Sequence, residues 1–133
     1  MSGRRLPLPP GVVRRVVKAV LEGERRQALV SITFLGRTAM RRLNAEHKGQ
    51  DGPTDVLTFA LHEPGGRAVG DVYICSWVAE REAASRGISL REELIRLVVH
   101  GTLHAIGRDH PDGASRTRSA MWRRQERYVE ALA

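Results

Sequence analysis

The sequence has little of several features, and each shortage excludes a class of protein. It contains one cysteine, Cys75, so no disulfide can form within the chain, which agrees with a reducing compartment such as the cytoplasm. Its longest apolar runs, such as residues 97–99, are far shorter than the ~20 residues that a membrane-spanning helix needs. No apolar stretch follows Arg4 and Arg5, so we expect no signal peptide. The sequence therefore predicts a soluble, cytoplasmic protein.

Aromatic residues are also few, at 5% of the chain, whereas basic residues are abundant. Lys and Arg number 22 against 15 Asp and Glu, which gives a net charge of +7. Residues 1–50 carry +8, residues 51–110 carry −3 and residues 111–133 carry +2. Such a surplus suits a polyanion such as nucleic acid, although a solvated arginine-rich surface explains it equally well. With few rings to stack on bases, any RNA binding would be mainly electrostatic.

The length of 133 residues and the hydrophobic fraction of 41% fit one globular domain over residues 1–133. Turn residues and the spacing of apolar residues predict the order helix, strand, helix, two strands and three helices. The predicted strands cover residues 28–35, 55–61 and 69–75, and the predicted helices lie at about 9–23, 38–48, 76–85, 89–106 and 114–132. We expect an α+β fold with a small mixed sheet of about four strands packed with helices.

Three of the five histidines, His100, His104 and His110, fall within eleven residues. On a helix, the first two lie one turn apart on the same face. Gly107 is expected to end this helix, so the chain could turn back and bring His110 toward the same point. Three imidazoles and a water are typical of a catalytic zinc site with an open position, at the end of a long helix. The alternative is a chance cluster of core and surface histidines.

The spacing His-x3-His-x2-Gly-x2-His also occurs in the metzincin proteases. In zinc proteases of this kind a glutamate follows the first histidine and acts as the general base. Here that position is Gly101. The spacing therefore favours a metal-dependent hydrolase, while the glycine argues against peptide hydrolysis by the usual route.

Residues 100–110, His-Gly-Thr-Leu-His-Ala-Ile-Gly-Arg-Asp-His, resemble the HGxLHxxGxDH signature of the YbeY family. Three further stretches are similar to family motifs in the same order. Residues 43–44 with 51–59 resemble its LN…D-x-PTDVLSF segment, and residues 70–74 resemble its GDIxI strand. Met121, Gln125 and Glu126 match the pattern of its last helix. The resemblance covers residues 28–128, which is nearly the whole chain.

The resemblance implies a bacterial metal-dependent endoribonuclease that acts in maturation of small-subunit (16S) ribosomal RNA and in ribosome quality control. It implies one zinc ion bound by His100, His104 and His110, in a cleft beside the sheet, although other divalent transition metals suit such ligands. The expected partner is ribosomal RNA or the small ribosomal subunit, with no DNA and no membrane partner.

One departure concerns the residue that would hold the substrate. The family usually has an arginine, held to be needed for activity, where this chain has Lys48. Lysine keeps the positive charge but lacks the planar fork that grips phosphate in two places. We interpret Lys48 as a phosphate-positioning residue, the alternative being an exposed lysine at a helix end.

Two aspartates are weaker candidates. Asp55 could orient water or substrate near the metal, or could belong to the turn that starts a strand. Asp109 could accept a hydrogen bond from a ligand imidazole, or could cap the turn that ends the helix.

The resemblance to the YbeY family therefore implies a single-strand-specific, metal-dependent endoribonuclease that uses its metal to activate water. The general base stays open between the metal-bound hydroxide, Asp55 and the 2′-hydroxyl of the RNA. Two other functions remain: a non-enzymatic ribosome-assembly factor with a structural metal, and a metal hydrolase for another substrate.

Overall fold

The computed structural model describes residues 7–62, 68–108 and 120–133, and their elements follow the predicted order. The elements are α1 (Pro10–Gly23), β1 (Ala28–Leu35), α2 (Arg37–Lys48), β2 (Val56–His62), β3 (Ala68–Cys75), α3 (Ser76–Arg86), α4 (Leu90–Ala105) and α5 (Ala120–Leu132). The α+β prediction is confirmed. The start predicted for the last helix, at residue 114, lies outside the described residues. None of the described helices is long and apolar enough to span a bilayer.

The sheet is mixed, with the strand order β1-β3-β2. β3 lies in the centre, parallel to β1 and antiparallel to β2, and Val72 of β3 pairs with Ile32 on one side and Thr58 on the other. The described residues form three strands, so the expectation of about four is not confirmed. The reason is physical: alternating apolar and β-forming residues bounded by turns occur three times in these ranges.

The main core lies between one face of the sheet and α4. α4 is buried almost all round, because α1, α3 and α5 surround the sides that the sheet does not cover. A helix in this central position needs apolar residues on most of its faces. Its buried apolar side chains are Leu94, Ile95, Leu97, Val98, Val99, Leu103 and Ala105. The helix that carries His100 and His104 is therefore the most extensively buried of the described helices.

Both ends of α4 are fixed by local chemistry. Ser89, followed three residues later by Glu92 ahead of an apolar helix, is the pattern that predicts an N-cap. This is confirmed, since Ser89 Oγ accepts a hydrogen bond from the Glu92 amide at 3.0 Å. At the other end Gly107 adopts φ +89°, and the Arg108 amide donates to the Leu103 carbonyl at 2.9 Å. Glycine adopts this conformation without steric cost, so the chain leaves α4 directly after the histidine pair, as predicted.

A buried glutamate fastens the chain just beyond this end. Glu24, after α1, accepts hydrogen bonds from Arg108 Nε at 3.0 Å and from the Tyr128 hydroxyl at 2.8 Å. Burial and the bond to Glu24 raise the pKa of Tyr128 to about 12. Arg108, two residues before His110, is thus tied to the end of α1 and, through Glu24, to Tyr128 of α5.

Candidate metal centre and cleft

The structure brings two of the three predicted metal ligands together. His100 and His104 lie one turn apart on α4, their ring centroids are 4.4 Å apart, and both side chains are half-buried. Two imidazoles on one helix face suit a divalent transition metal. His110 and Asp109 lie outside the described residues, and within the described ranges no group of three or more His, Cys, Asp or Glu could hold a metal. The three-histidine site therefore stays a prediction.

α5 supplies a side chain that orients the first histidine. Gln125, which is buried at 2% exposure, places its Oε1 2.8 Å from His100 Nδ1. Its Nε2 donates to Glu126 Oε2 at 3.0 Å. The sequence had shown Gln125 and Glu126 only as matches to a family helix pattern, and nothing in their spacing indicates a contact with His100.

An ion-pair network lies behind this amide. Arg96 donates to both carboxylate oxygens of Glu126, at 2.9 and 2.8 Å, and also to Glu93 at 3.2 Å and Glu92 at 3.1 Å. Arg86 approaches Glu93 from α3 at 3.5 Å. On α4, Arg96 follows Glu92 by four residues and Glu93 by three, spacings that predict contacts along a helix but not the bridge to α5.

Burial and pairing shift these carboxyl groups in opposite directions. Burial raises the pKa of Glu93 above its usual range, because Arg86 and Arg96 offset only part of the desolvation. Glu126 is also desolvated, but its hydrogen bonds from Arg96 and Gln125 prevail and lower its pKa. The hydrogen bond to Glu126 in turn raises the pKa of Arg96 above its already high value. Glu126 and Arg96 are therefore both charged at neutral pH.

Asp55 shares a small cavity with His100. The cavity has a volume of about 80 Å³ and is lined by the two together with Arg86, Glu93, Arg96, Trp122 and Gln125, among others. Asp55 stands just before β2, where its carbonyl accepts from the Cys75 amide at 2.9 Å. Two carboxyl groups, an imidazole and two guanidinium groups thus line one cavity.

Lys48 is not among the residues that line this cavity. It is the exposed last residue of α2, and Gly49 follows it in the left-handed conformation at φ +65°. The neighbouring His47 ring lies 5.0 Å from that of Phe59 in β2, and Asn44 Nδ2 donates to the Gly52 carbonyl at 2.9 Å. The end of α2 is therefore fastened to the sheet, while the Lys48 side chain extends into solvent.

Comparison with known proteins shows which family the chain belongs to. The family model described as Endoribonuclease YbeY matches residues 10–133. The chain belongs to the YbeY family. It is 38% identical over 131 residues to the Endoribonuclease YbeY of Pelotomaculum thermopropionicum, covering 92% of this chain and 85% of that protein. It is also 38% identical over 110 residues to the Endoribonuclease YbeY of Chromobacterium violaceum, covering 80% of this chain and 66% of that protein.

A solved structure supports the fold assignment. The solution structure of a Thermotoga maritima protein is similar to this chain with a TM-score of 0.66 and 30% sequence identity. The match covers 90% of this chain and 78% of the other. This YbeY chain therefore shares its arrangement of helices and strands with an experimentally determined relative.

The fold explains why this YbeY chain has glycine after the first histidine. Gly101 is on the side of α4 that faces the sheet, and a Cβ atom there would overlap Val72 Cγ1 and lie 3.0 Å from its Cγ2. A glutamate at this position would enter the apolar core rather than the cleft. The general base of a zinc protease has no place here, which agrees with the sequence argument against a peptidase.

We predict that Gly101→Ala lowers the free energy of unfolding. Overpacking costs about 1–3 kcal/mol. Because the added methyl group would overlap the fully buried Val72, we expect a cost above the ~1 kcal/mol that alanine gains over glycine inside a helix. Urea denaturation measures the change. Gly11 in α1 is the matched control, because no atom lies within 4 Å of the point that an added methyl group would occupy, so Gly11→Ala leaves stability unchanged or raises it. Equal effects of the two substitutions would contradict the packing argument.

Proposed function

We propose that this chain is a metal-dependent endoribonuclease that cuts single-stranded RNA and acts in 16S ribosomal RNA maturation and ribosome quality control. The observation that carries the proposal is the pairing of His100 with His104, with ring centroids 4.4 Å apart, in a member of an endoribonuclease family. Asp55 lines the same cavity as His100. Imidazoles beside a carboxylate in a cleft are suited to hydrolysis assisted by a metal.

His100, His104 and His110 would hold one zinc ion, the third ligand following from the sequence spacing. When bound, a divalent metal supplies a Lewis acid that polarises a phosphate oxygen and makes a water molecule more acidic. Asp55 lines the same cavity as His100 and would accept a proton from water or from a ribose hydroxyl. Glu93, the other carboxyl group of this cavity, is paired with Arg86 and Arg96. Arg96 is paired with Glu92, Glu93 and Glu126, so it forms part of the cavity wall rather than a binding group for substrate.

The proposed substrate follows from charge and shape. The net charge of +7 favours a polyanion, and the aromatic content of 5% favours contacts with the backbone rather than base stacking. A flexible single strand can bring its phosphate backbone close to His100 and Asp55 more readily than a stiff duplex can. Ribosomal RNA of the small subunit, in the cytoplasm, is the substrate that family membership favours.

A cleavage time course tests the proposal. End-labelled RNA carrying the 3′ region of the small-subunit ribosomal RNA, as a single strand and annealed to its complement, is incubated with the protein before and after chelation and zinc re-addition. We expect cuts in the single strand, loss of cutting on chelation and its recovery with zinc. RNA binding without cutting would instead indicate an assembly factor, and hydrolysis of a protein substrate without RNA cleavage would indicate a different hydrolase.

We predict that Lys48→Ala slows RNA cleavage about 10- to 100-fold without loss of metal, the usual effect of removing a hydrogen bond to a charged group. Lys48→Arg should keep or raise the rate, because the guanidinium fork binds phosphate in two places. Lys18, the other lysine of the chain and exposed on α1, provides the control Lys18→Ala. Unchanged cleavage by Lys48→Ala would remove Lys48 from the site.

A further inference from the structure

The hydrogen bonds around Gln125 determine which way its amide points. Its Nε2 faces Glu126 Oε2 at 3.0 Å, and both oxygens of Glu126 already accept from Arg96. A carboxylate paired with a guanidinium is ionised and can only accept. The amide group that faces Glu126 must therefore be the NH₂, which leaves the amide oxygen of Gln125 toward His100.

This orientation dictates the protonation of the His100 ring. The amide oxygen of Gln125 can only accept, and it lies 2.8 Å from His100 Nδ1. The hydrogen bond therefore requires a proton on Nδ1. In a neutral imidazole, one nitrogen carries the proton and the other carries the lone pair that can bind a metal. With Nδ1 protonated, that lone pair belongs to Nε2.

We infer that Gln125 is a positioning residue that holds His100 in the Nδ1–H tautomer, so that Nε2 is the nitrogen presented to the metal. The ion pair between Arg96 and Glu126 keeps the amide in the required orientation. This inference rests on the proposed metal site. It also gives the ion pair of Arg96 and Glu126 a role in that site. Partners of this kind, behind a metal ligand, commonly fix the ring and raise its affinity for the metal.

A purely structural role for Gln125 predicts something different. A buried amide needs hydrogen-bond partners in any protein, and the bonds of Gln125 to His100 and Glu126 could serve only to anchor α5 on α4. Such a role would affect stability when Gln125 is replaced, but would have no consequence for the tautomer or for metal affinity. The tautomer of His100 is therefore the measurement that separates the two roles.

The experiment uses the full chain labelled with ¹⁵N-histidine, first without metal and at a pH where the imidazoles are neutral. Long-range ¹⁵N–¹H spectra distinguish protonated from unprotonated ring nitrogens, and His100 is assigned by comparison with His100→Gln. We expect Nδ1–H in the wild type and a shift toward Nε2–H in Gln125→Leu, which removes the acceptor. Zinc affinity, measured by competition with a chelator, should fall about 10- to 100-fold in this variant.

Two further variants keep the test interpretable. Gln125→Glu retains an accepting oxygen, so it should keep the Nδ1–H tautomer even if Gln125→Leu fails to fold. Glu130→Gln alters an exposed carboxylate on the same helix and should change neither the tautomer nor the zinc affinity.

Three results would overturn the inference. These are an Nε2–H tautomer in the wild type, an unchanged tautomer in folded Gln125→Leu, and an altered tautomer with unchanged zinc affinity. Failure of the proposed function gives a different result. A wild type with the Nδ1–H tautomer that loses it in Gln125→Leu, yet binds no zinc, would contradict the metal site while supporting the control of His100 by Gln125.

Discussion

His104→Ala is expected to abolish both metal binding and RNA cleavage while leaving most of the fold intact. His104 follows His100 by one helical turn and its ring lies 4.4 Å away, so its removal leaves a single imidazole on this face of α4. One imidazole from α4 and the predicted His110 would not hold zinc in the three-ligand site that catalysis needs. His104 is half-buried, and alanine is a strong helix former, so we expect the free energy of unfolding to change by no more than about 1 kcal/mol.

The measurement compares wild type and variant purified side by side. Bound zinc is determined by elemental analysis, cleavage by the time course on end-labelled RNA, and folding by urea denaturation. His62→Ala is the control, since the sequence predicts His62 to be an ordinary surface histidine. Cleavage by the wild type and by His62→Ala, but not by His104→Ala, would also exclude a contaminating ribonuclease. A variant that loses zinc but cuts RNA at the wild-type rate would refute the proposed role of the metal.

The sequence predicted the local elements of the fold well, because their signals are local. The cap formed by Ser89, the stop at Gly107 and the alternation in residues 28–35 each depend on neighbours a few positions away. Serine is a favoured N-cap residue, so the sequence predicts that Ser76 caps α3. The structure corrects this by one residue, because α3 begins at Ser76 itself and Cys75 precedes it without a side-chain cap. The parallel pairing of β1 with β3 joins residues 40 positions apart, and the spacing of apolar residues contains no information about that partner.

In the candidate site, too, the contacts between near neighbours in the sequence were predictable and those between distant residues were not. His100 and His104 were predictable because helix geometry fixes their separation. The hydrogen bond from His100 to Gln125 was not, since it spans 25 residues and depends on how α5 packs against α4. Gly101 shows a third case: the sequence revealed that the protease glutamate is missing, and only the position of Val72 explains why no side chain fits.

Arg96→Met is expected to be among the most destabilising substitutions in this chain. The Arg96 side chain is 13% exposed, and its loss leaves Glu93, at 2% exposure, and Glu126 without their shared partner. Removing one member of a buried ion pair costs about 3–5 kcal/mol. We expect a loss of about 3 kcal/mol, at the lower end of that range. Two features moderate it: Glu126 is 30% exposed, and Arg86 still reaches Glu93 at 3.5 Å.

The loss of stability caused by Arg96→Met should be larger at neutral pH than in acid. The lowered pKa of Glu126 stabilises the wild type above the ordinary carboxyl pKa, and this contribution disappears as the pH falls through the lowered value. The variant lacks that contribution. The raised pKa of Glu93 acts in the opposite sense, because protonation stabilises the folded state below its ordinary pKa and the benefit is lost as the pH rises through the raised value. Without Arg96 the pKa of Glu93 rises further. Protonation of Glu93 at low pH therefore stabilises the variant more than it stabilises the wild type.

Both effects make the difference in stability largest at pH 7 and smaller toward pH 4. Urea denaturation of wild type and Arg96→Met across this range measures it, with Arg91→Met as the control, since Arg91 is exposed on the same helix. A surface substitution of this kind changes stability by no more than about 0.5 kcal/mol. Two results would contradict a stabilising role for the ion pairs of Arg96. One is an equally small loss of stability in Arg96→Met and Arg91→Met, and the other is a loss in Arg96→Met that grows as the pH falls. If this loss of stability shrinks in acid while zinc affinity at pH 7 also falls, Arg96 would account both for the packing of α5 on α4 and for the orientation of His100.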